Sequence, residues 1–161
     1  MRAVSEWQQF AELLDEENRR LGELAQAALA MTDALVGTDP DAVEKTERRL
    51  EAYRVLHGTA FAQRVAMQRR GFGTLTLQQV CAYAPPALRR GLHATVHEIG
   101  TRGIELRLTV SNNKALILAG MERLAKTVRV LQRAGTEQTG TYTRRGVVPP
   151  PDGSVIVSRR A

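Results

Sequence analysis

Apolar residues recur at intervals of three and four along most of this chain, and this spacing constrains the fold more than any other feature. In the first 36 residues one apolar series repeats every seven positions, and a second lies three residues after some of its members. The two series comprise Trp7, Phe10, Leu14, Leu21, Leu24, Ala28, Met31 and Leu35. A period near 3.5 indicates a long helix that packs along a narrow seam. We predict a helix from Val4 to Val36, with its seam interrupted at Glu17.

A second long helix has clear start and stop signals. Asp39 is a favourable N-cap and Pro40 suits the first helical position, while Gly71-Phe72-Gly73 ends the helix. We expect Phe61 and Val65 to widen its apolar stripe. The stripe itself comprises Val43, Thr46, Leu50, Tyr53, His57 and Ala60.

A short helix and a very long one complete the periodic part of the chain. Thr76 and Gln79 have the spacing of a capping box, which predicts a short helix reaching Tyr83. Pro85-Pro86 opens the last helix, which we expect to continue to about Ala134, with internal glycines that favour a local bend or break. Its seam comprises Leu92, Val96, Ile99, Gly103, Leu106, Val110, Asn113, Ile117, Gly120, Leu124, Thr127 and Leu131.

The fold expected from these elements is all-α. We predict an elongated antiparallel bundle of three long helices plus one short helix, formed by residues 1–134. Residues 135–161 are rich in Gly, Thr and Pro and lose the apolar period. Such a composition predicts a flexible, disordered C-terminal tail.

The last helix is too long for the bundle that precedes it. If helices one, two and four run up, down and up, the fourth outruns its neighbours by roughly 17 residues, or about 25 Å at 1.5 Å per residue. An apolar face without an internal partner indicates a docking surface, so we predict a partner-binding stripe. It comprises Ile117, Leu118, Met121, Leu124, Val128 and Leu131. Two alternatives remain open: the short helix folds against this stripe, or a glycine hinge turns it back.

The charge is divided unevenly between the two parts of the chain. Residues 1–60 carry 7 Lys/Arg and 12 Asp/Glu, whereas residues 61–161 carry 16 and 5, for a net charge of +6 overall. The basic part raises the possibility of a nucleic-acid-binding protein. However, the basic residues of the last helix are spread around it, and no aromatic residue occurs between Pro85 and Gln138 to stack on bases. We therefore predict no nucleic-acid partner.

Enzyme and metal-site motifs are not recognisable in the sequence. His93 and His97 have a metal-ligand spacing, but no Cys or acidic residue completes a set, and HATVH lacks the glutamate of HExxH. Cys81 lies among apolar residues and suits packing. We predict no catalytic residues, no metal and no cofactor. The longest apolar run has seven residues and the chain lacks a signal peptide, so we expect a cytoplasmic protein with no membrane insertion.

Four segments resemble the FlgN family of flagellar export chaperones. They are the N-terminal heptad helix, the second helix introduced by GTDPDAVEK, the middle segment LTLQQVCAYAP, and a final helix containing VSNNKALILAGMERL. The tail adds TYTRRG and the ending SVIVSRRA, which are the most specific features of the resemblance. The glycine-rich fourth helix and the PPP insertion depart from the family pattern.

The resemblance implies a cytoplasmic type III export chaperone. Such a protein binds the disordered or helical termini of hook-associated proteins at the hook–filament junction, keeps them from aggregating and contacts the export gate. It implies that the substrate surface is the stripe from Ile117 to Leu131, and it makes Tyr142 a candidate export-gate contact. The first alternative is a self-associating coiled-coil scaffold, in which the stripe of one copy pairs with that of a second copy as a homodimer. The second, ranked below it, is a basic helical nucleic-acid-binding protein.

Overall fold

The computed structural model describes residues 4–138, 142–143 and 146–147, with side chains described from 4 to 134. Helix α1 spans Val4–Gly37, α2 Pro40–Phe72, α3 Leu77–Ala82 and α4 Pro86–Gln138. Two-residue strands β1 (Tyr142–Thr143) and β2 (Gly146–Val147) pair antiparallel, Tyr142 with Val147 and Thr143 with Gly146. The chain divides into two compact units, Met1–Ile117 and Leu118–Ala161. The predicted all-α bundle of three long helices and one short helix is confirmed.

The predicted start and end of α2 are confirmed because each depends on local chemistry. Asp39 caps α2, its side chain accepting hydrogen bonds from the backbone N–H groups of Asp41 (3.0 Å) and Ala42 (3.2 Å). At the other end of α2, Gly73 adopts φ 65° and its N–H bonds the Arg69 carbonyl at 3.0 Å. This left-handed conformation suits glycine, which has no Cβ to clash.

Helix α3 starts with a complete capping box. The Gln79 N–H donates to the Thr76 hydroxyl at 3.3 Å, and the Gln79 side chain accepts from the Thr76 N–H at 2.8 Å. These bonds satisfy two donors that would otherwise be unpaired at the start of the helix.

Helices α1 and α2 pack antiparallel along the predicted seam of α1. Its buried residues follow the 3–4 spacing and are Trp7, Phe10, Leu14, Glu17, Leu21, Leu24, Ala27, Ala28, Met31 and Ala34. The expected interruption at Glu17 is therefore not an opening in the core. Its carboxylate is 2% exposed and pairs with Arg64 of α2, whose Nε and Nη2 donate at 2.6 and 3.0 Å.

The expected contribution of Phe61 to the α2 stripe is wrong. Arg64 takes the buried position on α2, and Phe61 remains 46% exposed, with the Arg64 guanidinium carbon 4.9 Å from the centre of its ring. The cation needs the interior because its carboxylate partner is there, so the aromatic ring covers the guanidinium from outside.

The hydrophobic core is densest at the end of the bundle where α3 lies. Phe10, Leu14, Val80 and Cys81 are fully buried there. They pack with Trp7, Met67, Ala84 and Leu92. Burial raises the pKa of the Cys81 thiol, as expected for a packed structural cysteine.

Helix α4 runs parallel to α1 in a fixed register. The Thr95 hydroxyl donates to Asp15 at 3.0 Å and the Asn18 amide donates to Glu98 at 2.7 Å, both across 80 residues. Farther along, the Thr32 hydroxyl donates to the Asn113 side chain at 2.7 Å across 81 residues. Helices α1, α2 and α4 thus follow the predicted up, down, up order. By this register Gly37, the last residue of α1, is level with Ile117.

Helix α4 is continuous through Gly91, Gly100, Gly103 and Gly120, so the expected break does not occur. It also continues past Ala134 to Gln138, because a single glycine such as Gly135 lowers helix stability by only about 1 kcal/mol and does not end a helix. The prediction of a disordered tail over residues 135–161 is wrong for its first four residues, 135–138, which are helical. Apart from β1 and β2, the rest of the predicted tail lies outside the described part of the chain. No helix within the described residues is long and apolar enough to cross a membrane.

Candidate partner-docking face of helix α4

The seam of α4 changes from buried to exposed along its length. Leu92 is 3% exposed in the core, and Val96 and Ile99 are half-buried against it. The last buried residue of the seam is Asn113. Beyond Asn113 every described residue of α4 is exposed.

Asn113 is a polar residue at a position that the seam assigns to the core. Its side-chain amide donates to the Ala28 carbonyl at 2.9 Å and its oxygen accepts from Thr32, so both of its polar groups are paired. A buried Asn with specific partners favours one helix register over others. Asn113 therefore fixes the register of α1 against α4 four residues before Ile117, the next seam residue.

The six predicted site residues are exposed apolar side chains. Their exposed fractions range from 42% for Val128 to 65% for Leu124 and Leu131. The full set is Ile117, Leu118, Met121, Leu124, Val128 and Leu131. Ile117 belongs to the first compact unit and the other five to the second. A contiguous row of exposed large apolar side chains is uncommon on a monomer and indicates an interaction surface.

Five of the six residues share one face of the helix. At about 100° per residue, Ile117, Met121, Leu124, Val128 and Leu131 fall within about 40° of a common line. Leu118 lies about 100° from this line, at the border of the face. We call these six residues the apolar stripe.

The sequence analysis did not include Leu116 and Val130, which are 37% and 64% exposed. Each immediately precedes a member of the apolar stripe, and they widen the face on the side opposite Leu118. Leu116, Arg123 and Val130 follow one another at intervals of seven residues and so lie on the same side of the helix. Because a charged residue stands in the middle of this series, the sequence pattern does not identify the series as apolar. Gly120 lies on the same face, with no atom within 4 Å of the position that a Cβ would occupy.

The chemistry offered by this face is apolar contact with adaptable side chains. Met121 is flexible and polarizable and fits partners of varied shape. A helix laid along such a row would bury its own apolar face against it.

Other candidate groups do not converge on a reactive site. His93 and His97 are both exposed, as predicted for a solvated pair. Within the described residues no group of three His, Cys, Asp or Glu side chains is arranged to hold a metal ion. Tyr142 lies in β1, but its side chain is outside the described part, so its predicted role stays a prediction.

A shallow cleft of about 680 Å³ at the α2–α3 turn is lined by Arg64, Gln68, Arg69 and Thr74, among others. Its most buried cation is already neutralised. Arg64 bonds Glu17 and also donates to Gln68 at 2.7 Å, and Gln68 donates to the Leu75 carbonyl at 2.6 Å. This network stabilises the turn and makes the cleft a weaker binding candidate than the apolar stripe.

Comparison with known proteins gives one result. The family model described as FlgN protein matches residues 1–150, which is most of the 161-residue chain. Neither the curated protein sequences nor the solved structures contain a significant match.

Proposed function

Because this chain belongs to the FlgN family of flagellar export chaperones, we propose that it binds hook-associated proteins of the flagellum through the apolar stripe of α4. It keeps their termini from aggregating in the cytoplasm and delivers them to the export gate. The proposal gives the stripe its occupant: an amphipathic helical segment from a hook-associated protein.

The observation that carries the proposal is the exposure of the stripe. Met121, Leu124 and Leu131 are each more than 60% exposed, although Leu124 and Leu131 belong to the seam that packs α4 against α1. A seam of this kind is stabilised by burial, at about 25 cal/mol per Å² of apolar surface. Partner docking supplies that burial.

Docking is coupled to folding of the partner. A disordered terminus lacks an internal core and gains one by forming a helix against the stripe, at the cost of its conformational entropy. That cost keeps the affinity moderate, so the complex dissociates on a useful timescale when the partner enters the export apparatus. Tyr142, in β1, is the proposed contact with the export gate.

The decisive experiment is a double substitution in the stripe. We expect Leu124→Asp with Val128→Asp to abolish co-purification of hook-associated proteins, because two charges are placed where apolar burial is required. Circular dichroism should show nearly unchanged helix content, since both side chains are exposed.

The matched control is Ile104→Asp with Leu108→Asp. These residues are 59% and 62% exposed, lie four apart on the same helix and fall outside the stripe. Partner binding should survive in this variant. Unfolding of the Leu124/Val128 variant would instead identify the stripe as core. An equal loss of partner binding in both double variants would show that binding does not depend specifically on the stripe.

Self-association through the same stripe is the alternative use of this surface. In that case sedimentation would detect a dimer of the wild-type chain, and the Leu124/Val128 variant would be monomeric. Binding to a nucleic acid would weaken steeply as the salt concentration rises, whereas apolar docking would not weaken steeply.

A further inference from the structure

The borders of the apolar stripe carry positive charge. At about 100° per residue, Arg123 falls about 120° to one side of the centre of the stripe and Arg129 about 120° to the other. Both are exposed residues of α4. Glu122 lies about 140° from that centre, on the same side as Arg129 and seven residues before it. Its carboxylate pairs with Lys126, on the side of the helix opposite the stripe.

These two arginines are available to a partner. Among the residues whose side chains the structure describes, no ion pair or side-chain hydrogen bond involves Arg123 or Arg129. Lys126, on the side opposite the stripe, is by contrast already paired, its ammonium lying 2.9 Å from the Glu122 carboxylate. The positive charge beside the stripe is therefore not neutralised within the described part of the chain.

The second unit as a whole also carries a net positive charge. Residues 118–161 contain eight Lys/Arg and three Asp/Glu. A second copy docked on the stripe would bring its own Arg123 and Arg129 against these, and like charges at an interface are unfavourable. This charge distribution selects against a copy of the chain as the occupant and in favour of an acidic one.

We propose that the segment bound by the apolar stripe is an amphipathic helix with acidic residues along both borders of its apolar face. The proposal rests on the docking function proposed above and specifies the chemistry of the partner. Two packed helices lie 8–10 Å apart, and a long arginine side chain lays its methylene stem along the apolar surface and extends its guanidinium toward the neighbouring helix. Arg123 and Arg129 thus bond carboxylates on the two borders and orient the bound segment.

The test uses the full-length chain and three designed 21-residue amphipathic peptides with the same Leu/Ala face. Their border positions carry Glu, Gln or Lys, and fluorescence anisotropy measures each Kd at low and high salt. We expect the Glu peptide to bind about tenfold more tightly than the Lys peptide at low salt. The difference should shrink at high salt because exposed charges are screened.

Charge reversal identifies the residues responsible. Arg123→Glu with Arg129→Glu should invert the preference, so that the Lys peptide binds more tightly. The control, Arg90→Glu with Arg107→Glu, makes the same change in net charge at two exposed arginines of α4 outside the stripe and should retain the wild-type preference.

The outcomes separate the two proposals. Equal affinity for all three peptides, with binding lost in the Leu124/Val128 variant, overturns the acidic-border inference and leaves stripe docking intact. No binding of any peptide, together with hook-associated proteins that bind the Leu124/Val128 variant normally, overturns both. Binding to vesicles of anionic lipid that depends on Arg123 and Arg129, without any peptide preference, would assign these arginines to a membrane surface and overturn the inference.

Discussion

At the residue scale, Glu17 and Arg64 show how a charged pair is accommodated in a helical seam. Both are more than nine-tenths buried, and two hydrogen bonds join the guanidinium to the carboxylate. Removing two charges from water is costly, so such a pair contributes little net stability, yet loss of one partner leaves the other charge uncompensated. The sequence located the irregularity at Glu17 but not its partner, because Arg64 is 47 residues away and pairs through tertiary packing.

Replacing Glu17 with Ala should lower the free energy of unfolding by about 3–5 kcal/mol, because Arg64 then remains buried without a counter-charge. The double variant Glu17→Leu with Arg64→Met should lose much less, since neither charge remains. Urea unfolding measures both values. Glu51→Ala, which breaks an exposed pair with Arg54, serves as the control and should change little. An equal loss in the single and double variants would contradict the pairing argument.

At the scale of the element, α4 combines a predictable start and seam with glycines whose effect was not predictable. Helix starts follow from capping side chains and proline, which act within a few residues, so the caps at Asp39 and Thr76 were foreseen. Whether a glycine breaks a helix depends on what the rest of the helix contacts. Nothing lies within 4 Å of a Cβ built at Gly100, so no close packing accounts for the glycine there.

Gly100→Ala should therefore raise the free energy of unfolding by about 0.5–1 kcal/mol, because alanine loses less conformational entropy in a helix. Gly22→Ala is the matched contrast. Its Cβ would lie 2.9 Å from Nη1 of Arg102, the nitrogen that donates to the Asn18 carbonyl at 2.9 Å.

Because Arg102 has to move, Gly22→Ala should give a smaller gain or a loss. Thermal unfolding of the two variants, and of Gly22→Ala in an Arg102→Ala background, distinguishes the cases. Equal gains at both positions in the wild-type background would show that the Arg102 contact is unimportant.

At the scale of the whole molecule, periodicity predicted the three long helices, their order and the seam that joins α4 to α1. The family resemblance is confirmed by the match over residues 1–150. Periodicity did not distinguish the buried part of the α4 seam from the exposed part, since Leu92 and Leu124 belong to the same seam. The difference depends on where α1 ends relative to α4. The register fixed by Asn113 places the end of α1 level with Ile117.

A chain truncated after Gln138 should unfold at nearly the same temperature as the full chain. The core cluster ends at Leu92 and the last buried residue in the described part is Asn113, so the deleted residues add little to the core described here. Differential scanning calorimetry of the two chains checks this expectation. A large fall in the midpoint would show that residues 139–161 pack on the helices.

The truncated chain should also still bind hook-associated proteins while failing in delivery, if Tyr142 acts at the export gate as proposed. Tyr142→Ala in the full chain should then reproduce the delivery defect alone.

The apolar stripe of α4 also has a consequence for how much of this chain is made relative to its proposed partners. Every unoccupied copy exposes the apolar stripe to water. The arginines beside the stripe disfavour specific pairing of two copies, but exposed apolar surface still promotes non-specific aggregation when this chain exceeds the partners proposed above. We therefore expect synthesis of this chain to be matched to synthesis of the proteins that it is proposed to bind. Overproduction of the chain alone should lower its own solubility, and co-expression of a client should restore it.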